Sequence, residues 1–425
     1  PQSSFDLPEI LFHSLPGGEI EGATDRLHRY ALPRYLQRAQ RVIPLVYNTW
    51  FDAFEELDVP RLRRQLRAAQ ELGCEVFTID AGWYGAGEGN WAAQTGDWRE
   101  KRNGAFYGNM RAFADEVRAA GLGFGLWMEP ERIGPEAPIL QEHPEWFLPA
   151  TGGFYRPDLE NPAAYAYLLE EMSRLVREYG LAWMKVDFNL DLGIDASGAE
   201  FSGYYAAWYR LVEELRARYP HTFFEGCASG GMRLDLNTLS HFDGHYLSDT
   251  VNPLHALRIF QGAVLRLPPG RLGKWIVLRS IGATVPEYGV PLAETPDRVV
   301  APTGATWEQS ITTNVDMAAR ICLPGMVSVS GDVDSLSPRA RERLRFHLDF
   351  YKNWRTFLAG STAHLLTPPA DRDDDRGWAA IQLQHPEDAR VLLFVYRLDD
   401  ARHRQVFYPW GLEAGEYDIE DIDRP

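Results

Sequence analysis

Five acidic residues each stand at or just past the end of a short apolar run: Asp80, Glu129, Asp187, Glu225 and Asp249. A carboxylate so placed can attack, shuttle a proton or accept hydrogen bonds from hydroxyls. Asp187 has the most informative flanks. In Lys185-Val186-Asp187-Phe188-Asn189, an inward lysine keeps the carboxylate ionised and holds a substrate hydroxyl, while Asn189 both donates and accepts. Asp249, in Tyr246-Leu247-Ser248-Asp249-Thr250, lies about two strands further on and can face Asp187 across a pocket. Taken alone it is no more distinctive than Asp243 or Asp235. Two such groups are what glycoside hydrolysis requires: one attacks C1 and the other protonates the leaving oxygen. Burial and a neighbouring carboxylate would keep the proton on the acid.

Tryptophan recurs beside these acids, in Asp80-Ala81-Gly82-Trp83-Tyr84 and Trp127-Met128-Glu129-Pro130-Glu131. Flat indoles stack on the C–H faces of sugars while carboxylates take the hydroxyls. Most of the 13 Trp, 19 Tyr and 21 Phe belong to a large core. The string Gly226-Cys227-Ala228-Ser229-Gly230-Gly231 lets backbone approach a ligand closely, and with no Lys-Ser/Thr following it is not a phosphate loop. His241 and His245 flank a glycine and have no obvious third ligand, so no metal is expected. Cys227 has no evident paired base and reads as a pocket-wall thiol. No cofactor is expected.

Residues this far apart need a scaffold that returns strand ends to one place. Ile43–Tyr47, Val76–Ile79, Leu122–Trp127, Ala182–Val186, Thr222–Phe224, Tyr246–Leu247, Trp275–Leu278 and Met326–Val329 read as strands. Pro60–Leu72, Phe113–Ala120, Ala163–Tyr179 and Ala206–Tyr219 read as helices between them, and Arg339–Trp354 as the helix that closes the set. Strand-helix alternation predicts an α/β fold with a parallel sheet. About eight strands with polar ends, and no GxGxxG after the first, predict a (β/α)₈ TIM barrel with its chemistry at the C-terminal strand ends. Residues 1–40, with Pro16-Gly17-Gly18 and an Arg-rich stretch from Arg26 to Arg41, read as an N-terminal leader packed against the barrel of residues 41–360. After Pro368-Pro369 and the charged run Asp371–Arg376, the segments Trp378–Leu383, Val391–Tyr396 and Gln405–Tyr408 read as strands of a small antiparallel β-sandwich within 361–425.

The net charge of −17 repels nucleic-acid phosphates and anionic lipid, so neutral substrates are the natural partners. No apolar run approaches the roughly 18 residues of a membrane helix. Three cysteines without CxxC spacing argue against a disulfide framework and fit a reducing cytoplasm. The start, Pro1-Gln2-Ser3-Ser4, is no signal peptide and lacks an initiator Met, and the end at Pro425 is abrupt. Both suggest a fragment.

Taken in order, these strings resemble glycoside hydrolase family 36, the microbial α-galactosidases, within the melibiase-like clan. The resemblance covers residues of about 40 to 360 and rests on six strings: Asn48-Thr49-Trp50, the Asp80–Trp83 end, Trp127–Glu131, Lys185–Asn189, Cys227–Arg233 and Ser248-Asp249. It implies a retaining mechanism with Asp187 as nucleophile and Asp249 as acid/base. It also implies a sugar subsite lined by Trp50, Asp80, Trp127, Lys185, Asn189, Cys227 and Gly230. The implied partner is a small oligosaccharide ending in α-linked galactose, and several family members are tetramers, so a homo-oligomer is implied too.

Three departures bear on the sugar. The family's paired Asp-Asp is Asp80-Ala81 here, removing a carboxylate that grips the axial O4 and O6 hydroxyls of galactose. Asn252 stands where an acidic residue usually follows the acid/base string, and Met232 makes the Gly-rich loop bulkier. One lost charged hydrogen bond is worth about 1.5–3 kcal/mol, roughly ten- to a hundred-fold in selectivity. The same mechanism on another α-glycoside such as an α-N-acetylgalactosaminide, transfer to a second sugar, and a carbohydrate-binding barrel without turnover are the competing readings. Asp187 and Asp249 together speak against the last, and the lack of clustered histidines against a metal-dependent hydrolase.

Overall fold

In the computed structural model, the described residues are 10–12, 14, 20–35, 42–86, 90–195, 200–284 and 298–422. The apolar runs form eight short strands: β1 (Val46–Asn48), β2 (Val76–Ile79), β3 (Gly123–Met128), β4 (Leu181–Val186), β5 (Phe223–Gly226), β6 (Gly244–Tyr246), β7 (Leu272–Val277) and β8 (Met326–Ser330). Each pairs in parallel with its neighbour in this series, and β8 pairs with β1, Val46 opposite Ser328. The sheet is a closed barrel, as the alternation predicts.

The helices cover it for local reasons that can be read residue by residue. Helix α1 (Ile20–Tyr35) precedes the barrel. Helix α2 (Val59–Glu71) starts where the Asp58 carboxylate accepts from the Arg61 amide and Pro60 occupies the first turn. Leu62, Leu66 and Ala69 recur at helical spacing, and all three are buried. Helices α3 (Met110–Ala119), α4 (Pro162–Tyr179) and α5 (Glu200–Arg218) follow β2, β3 and β4. Asn161 caps α4 by accepting from Ala163. Helices α6 (Leu236–His241) and α8 (Val315–Cys322) lack sequence periods long enough to have stood out, and α7 (Pro253–Ala263) was not among the helices the sequence pattern suggested. Helix α9 (Pro338–Ala359) closes the ring, capped by Ser337.

The barrel interior is apolar at one end and charged at the other. Trp183 stacks on Phe223, ring centroids 4.1 Å apart, and packs with Ile43, Val46, Val76 and Met326. Two residues further along β4, Lys185 stands opposite Trp127 of β3 and Glu225 of β5. Register neighbours in a parallel sheet point to the same face. The parallel register therefore sets an indole, an amine and a carboxyl side by side above the apolar plug.

The C-terminal sheet has three antiparallel strands, β9 (Thr362–Leu365), β10 (Trp378–Gln384) and β11 (Val391–Arg397), in that order. Two of the expected strands stand, but Gln405–Tyr408 forms none. Val406 and Tyr408 are exposed and find nothing to bury against, and just beyond them Gln382 ties the backbone of Trp410 to β10 by its side-chain amide. The N-terminal side reaches this sheet as well: Ala363 of β9 donates to His28 Nδ1 of α1 at 3.2 Å. Pro16-Gly17-Gly18, Arg38 and Arg41 lie outside the described residues.

Lys274 of β7 faces outward into the helix layer rather than into the barrel. It is 3% exposed, its Nζ has no hydrogen-bond partner, and it sits 3.2 Å from the centroid of Phe260 on α7. Burial pushes this amine down to about 7, against the opposing effect of the Cys322 thiol. In the unfolded chain it titrates near 10.5, so between about 7 and 10.5 the unfolded state holds a proton that the folded state has lost. This group therefore costs stability progressively as pH falls from 10.5 toward 7. Lys274→Met is expected to raise the thermal midpoint at neutral pH by a few degrees, with the gain shrinking as pH rises toward 10.5. Calorimetric scans across that range test it; a Met variant with a lower midpoint at neutral pH would contradict a buried neutral amine.

Candidate active site

Asp187 continues the β4 ladder by one residue, its amide donating to the Met128 carbonyl at 2.9 Å. That bond aims the carboxylate across the strand ends. Oδ2 accepts from Trp127 Nε1 at 3.0 Å and Oδ1 from the Phe188 amide at 2.8 Å. Trp127 cannot swing away. It stacks on Tyr84 with centroids 5.7 Å apart, and Trp91 meets it edge-on at 5.5 Å. Trp50 in turn meets Trp91 edge-on at 5.9 Å.

Lys185 lies one layer deeper. Its Nζ is 3.2 Å from Asp80 Oδ2 and 4.6 Å from the Trp275 ring centroid. Asp80 Oδ2 also accepts from Asn48 Nδ2 at 2.7 Å, and the Asp80 amide donates to Thr49 Oγ1 at 3.0 Å. The Trp50 amide donates to Asn48 Oδ1 at 2.8 Å. The Asn48-Thr49-Trp50 string is thus a clamp on Asp80 as much as a source of an indole. Burial works against the charge on Lys185, but Asp80 first, then Cys227, Asp187 and Glu225, hold its pKa well above the ordinary lysine value.

The two key carboxyls are driven apart. Burial works to raise Asp187, yet Lys185, with hydrogen bonds from Cys227, Trp127 and Asn189, outweighs it and holds this carboxyl below its ordinary value. Asp249, half-buried and without a hydrogen bond to another described residue, is pushed up to about 6, first by burial and then by Asp187. The Gly-rich loop positions Asp249. Gly230 has φ +79°, and a Cβ there would lie 2.6 Å from Ser248 Cα and 2.7 Å from the Asp249 amide. Only glycine lets the two backbones meet so closely.

Asn189 and Cys227 also reach Asp187, and Asn189 is braced as well. Its Nδ2 donates to Glu129 at 3.2 Å, and its Oδ1 accepts from Ser229 Oγ at 2.8 Å. Glu129 is fully buried against Arg132, 2.9 Å away, and is pushed up to about 7, first by burial. Cys227 is a buried thiol pushed well above its ordinary pKa, first by burial and then by Asp187. His241 pairs with Glu213 at 3.2 Å, while His245 bonds the Tyr246 carbonyl at 2.8 Å and is pushed down to about 4 by burial. Among the described residues no group of three or more His, Cys, Asp or Glu could hold a metal ion.

The nine expected site residues are linked through these contacts, Trp50 by way of Trp91 and Trp127, and Asp249 through its backbone against Gly230 and the charge of Asp187. Sequence reasoning did not single out Trp91, Arg132 or Trp275. Arg132 lies over the Trp91 ring at 4.7 Å, and its Nη1 donates to the Asn189 carbonyl at 3.1 Å. Its place directly after Glu129-Pro130-Glu131 was the available signal. Trp275 sits mid-strand, where nothing in the sequence separates it from core.

With this geometry in place, comparison with known proteins is decisive on ancestry. The profile of the family described as Melibiase matches residues 4–286, more than half of the chain. The chain belongs to the melibiase family. It is 29% identical over 293 positions to an α-galactosidase of Escherichia coli, covering 65% of this chain and 40% of that protein. It is 24% identical over 442 positions to α-galactosidase AgaA of Geobacillus stearothermophilus, covering 99% of this chain and 56% of that one. The chain thus spans about half the length of these relatives. The AgaA crystal structure, a glycoside hydrolase family 36 enzyme, shares its fold with a TM-score of 0.74 at 22% identity over 93% of this chain and 53% of that one. Other AgaA structures hold raffinose and stachyose.

The departures from the family's strings have local settings. Ala81 is buried, and its amide donates to Asp80 Oδ1 at 2.9 Å. Asn252 caps α7, accepting from the Leu254 amide at 3.0 Å. Met232 is 81% exposed. Removing the central amine is the direct test of the electrostatics. Lys185→Met should raise the Asp187 carboxyl, because burial would then act with less opposition, and should loosen Asp80. Carboxyl titration by carbon-13 NMR reads the shift; an unmoved Asp187 would show that the hydrogen bonds alone hold it down.

Proposed function

We propose that this chain carries a retaining α-glycoside hydrolase that releases terminal α-linked galactose from small oligosaccharides. What carries the reading is the split carboxyl pair, with Asp187 held below its ordinary range and Asp249 pushed up to about 6. Two carboxyls driven apart by their surroundings mark a nucleophile and an acid. The α-galactosidase relatives, and the raffinose and stachyose bound to AgaA, supply the substrate class.

In the proposed cycle Asp187 attacks the anomeric carbon while Asp249 gives its proton to the leaving oxygen. Water then attacks the glycosyl ester, Asp249 takes its proton, and Asp187 leaves as carboxylate. Trp127 and the Phe188 amide each hold one oxygen of the Asp187 carboxylate. Trp50, Asp80, Lys185, Asn189, Cys227 and the backbone at Gly230 shape the sugar site. Residues 41–360 are the catalytic barrel in this reading, with 1–40 as leader and 361–425 as the β domain. The whole protein is a cytoplasmic homo-oligomer that uses no metal or cofactor and binds neither nucleic acid nor membrane. Ala81 favours a second reading with the same mechanism on a different α-glycoside, such as an α-N-acetylgalactosaminide, or transfer to a sugar acceptor.

A panel of p-nitrophenyl α-glycosides tests both. The α-galactoside should be cleaved with retained anomeric configuration by proton NMR and unaffected by EDTA. Asp187→Ala should lower kcat by about three orders of magnitude or more. Asp249 acts as the acid, so kcat/KM should fall as pH rises through about 6, and Asp249→Asn should abolish that limb. Failure to cleave any α-glycoside, or inversion at C1, overturns the reading; preference for another glycone moves it to the second.

A further inference from the structure

The Gly-rich loop after β5 ends on Arg233, and this side chain ties three strand ends together. Its Nη1 donates to both oxygens of Glu131, in the loop after β3, at 2.8 and 3.0 Å. Its guanidinium carbon lies 3.3 Å from the ring centroid of Phe188, in the loop after β4. It also lies 5.1 Å from the ring of Tyr205 on α5. Tyr204, the preceding residue of α5, donates its hydroxyl to Glu131 at 2.5 Å. Glu131 is fully buried, so this acid needs the cation it has. Burial works against the charge on Arg233, but Glu131 first, then Tyr204 and Tyr205, hold its pKa above the ordinary arginine value.

What Arg233 presses on bears on the site. Phe188 directly follows Asp187, and its amide donates to Asp187 Oδ1 at 2.8 Å. The Phe188 ring is buried with Leu190 and Ala228, and Arg233 covers it as well. A planar guanidinium over an aromatic ring at this range is held by the ring quadrupole, a contact that a lysine does not reproduce. The next amide, that of Asn189, is anchored on Glu129 at 2.5 Å. Phe188 is therefore the link between the carboxylate and that anchor, and packing of its ring sets where its amide points. The same loop reaches both carboxyls. Its first residue, Cys227, hydrogen-bonds Asp187, and Gly230 lies against the Asp249 backbone. Arg233 pins its last residue.

We propose that Arg233 is a positioning residue: through the Phe188 ring it holds the Phe188 amide on Asp187, and so fixes the rotation of that carboxylate. The consequence for turnover rests on the glycosidase reading; the clamp itself does not.

Arg233→Lys keeps a cation for Glu131 and removes the planar face, so the buried acid is not stranded. On the p-nitrophenyl α-glycoside that the parent chain cleaves best, it should lower kcat about tenfold or more and leave KM within about twofold. Phe188→Leu removes the ring, and in that background Arg233→Lys should cost less than about twofold. Additive losses in the double variant, or a loss carried by KM, overturn the proposal. Hydrogen exchange at the Phe188 amide, followed by nitrogen-15 NMR without substrate, reads the clamp directly; Arg233→Lys should speed it about tenfold. A parent chain that cleaves no α-glycoside yet shows this acceleration overturns hydrolysis and keeps the clamp. An active parent whose exchange Arg233→Lys leaves unchanged does the reverse.

Discussion

Lys185 carries a single ammonium group into a space that it shares with Asp80, Asp187 and Glu225. A buried charge is tolerated only when it is paired and its hydrogen bonds are met, and removing one partner of a buried pair typically costs about 3–5 kcal/mol. The rest of the site follows from this. With the amine in place Asp187 stays ionised despite burial, and Asp80 stays pinned at 3.2 Å between Lys185 and Asn48. Asp249 is raised first by burial and then by the negative Asp187, whose effect exceeds that of the Lys185 amine. One cation among several acids thus produces an unequal pair of carboxyls.

Glu225, also beside Lys185, is pushed up to about 7 by burial first, and one of its oxygens has no partner. It is the acid that the amine leaves under-compensated. The aromatic cage makes these electrostatics durable. Trp127, Tyr84, Trp91 and Trp50 hold one another by stacked and edge-on contacts, so the indole N–H that reaches Asp187 has little freedom to leave it. The cage excludes water from one side of the carboxylate, which strengthens each charge interaction inside.

Much of the barrel was legible because its strands are buried on both faces and read as continuous apolar runs. Val76–Ile79 is matched residue for residue, and the other seven expected strands each overlap an observed one. Helices with strong apolar faces were equally plain, as in Val59–Glu71 and Pro162–Tyr179. Short elements were not. Leu236–His241 and Val315–Cys322 span two turns or so, too few for a period to emerge, and Gln405–Tyr408, rich in residues that favour strands, has no partner strand among the described residues. Strand pairing is a property of two segments, and a single segment cannot announce it.

The site divides in the same way. The sequence by itself determined which carboxyls stand at strand ends and that Lys185 and Asn189 flank one of them, since each is a matter of residue type and local period; that Ala81 stands where an acid is expected came from the family resemblance. Only the tertiary structure decided that Asp80 takes the Lys185 ammonium, that Asn189 is braced between Glu129 and Ser229, that Gly230 is needed to let the Asp249 backbone approach, and that Arg132 and Trp275 belong to the wall. Those facts depend on parallel register and closure, which bring residues far apart in the chain within hydrogen-bond reach. Burial is likewise a collective property of the closed barrel; it raises both aspartates, and Lys185 with the hydrogen bonds to Asp187 separates them.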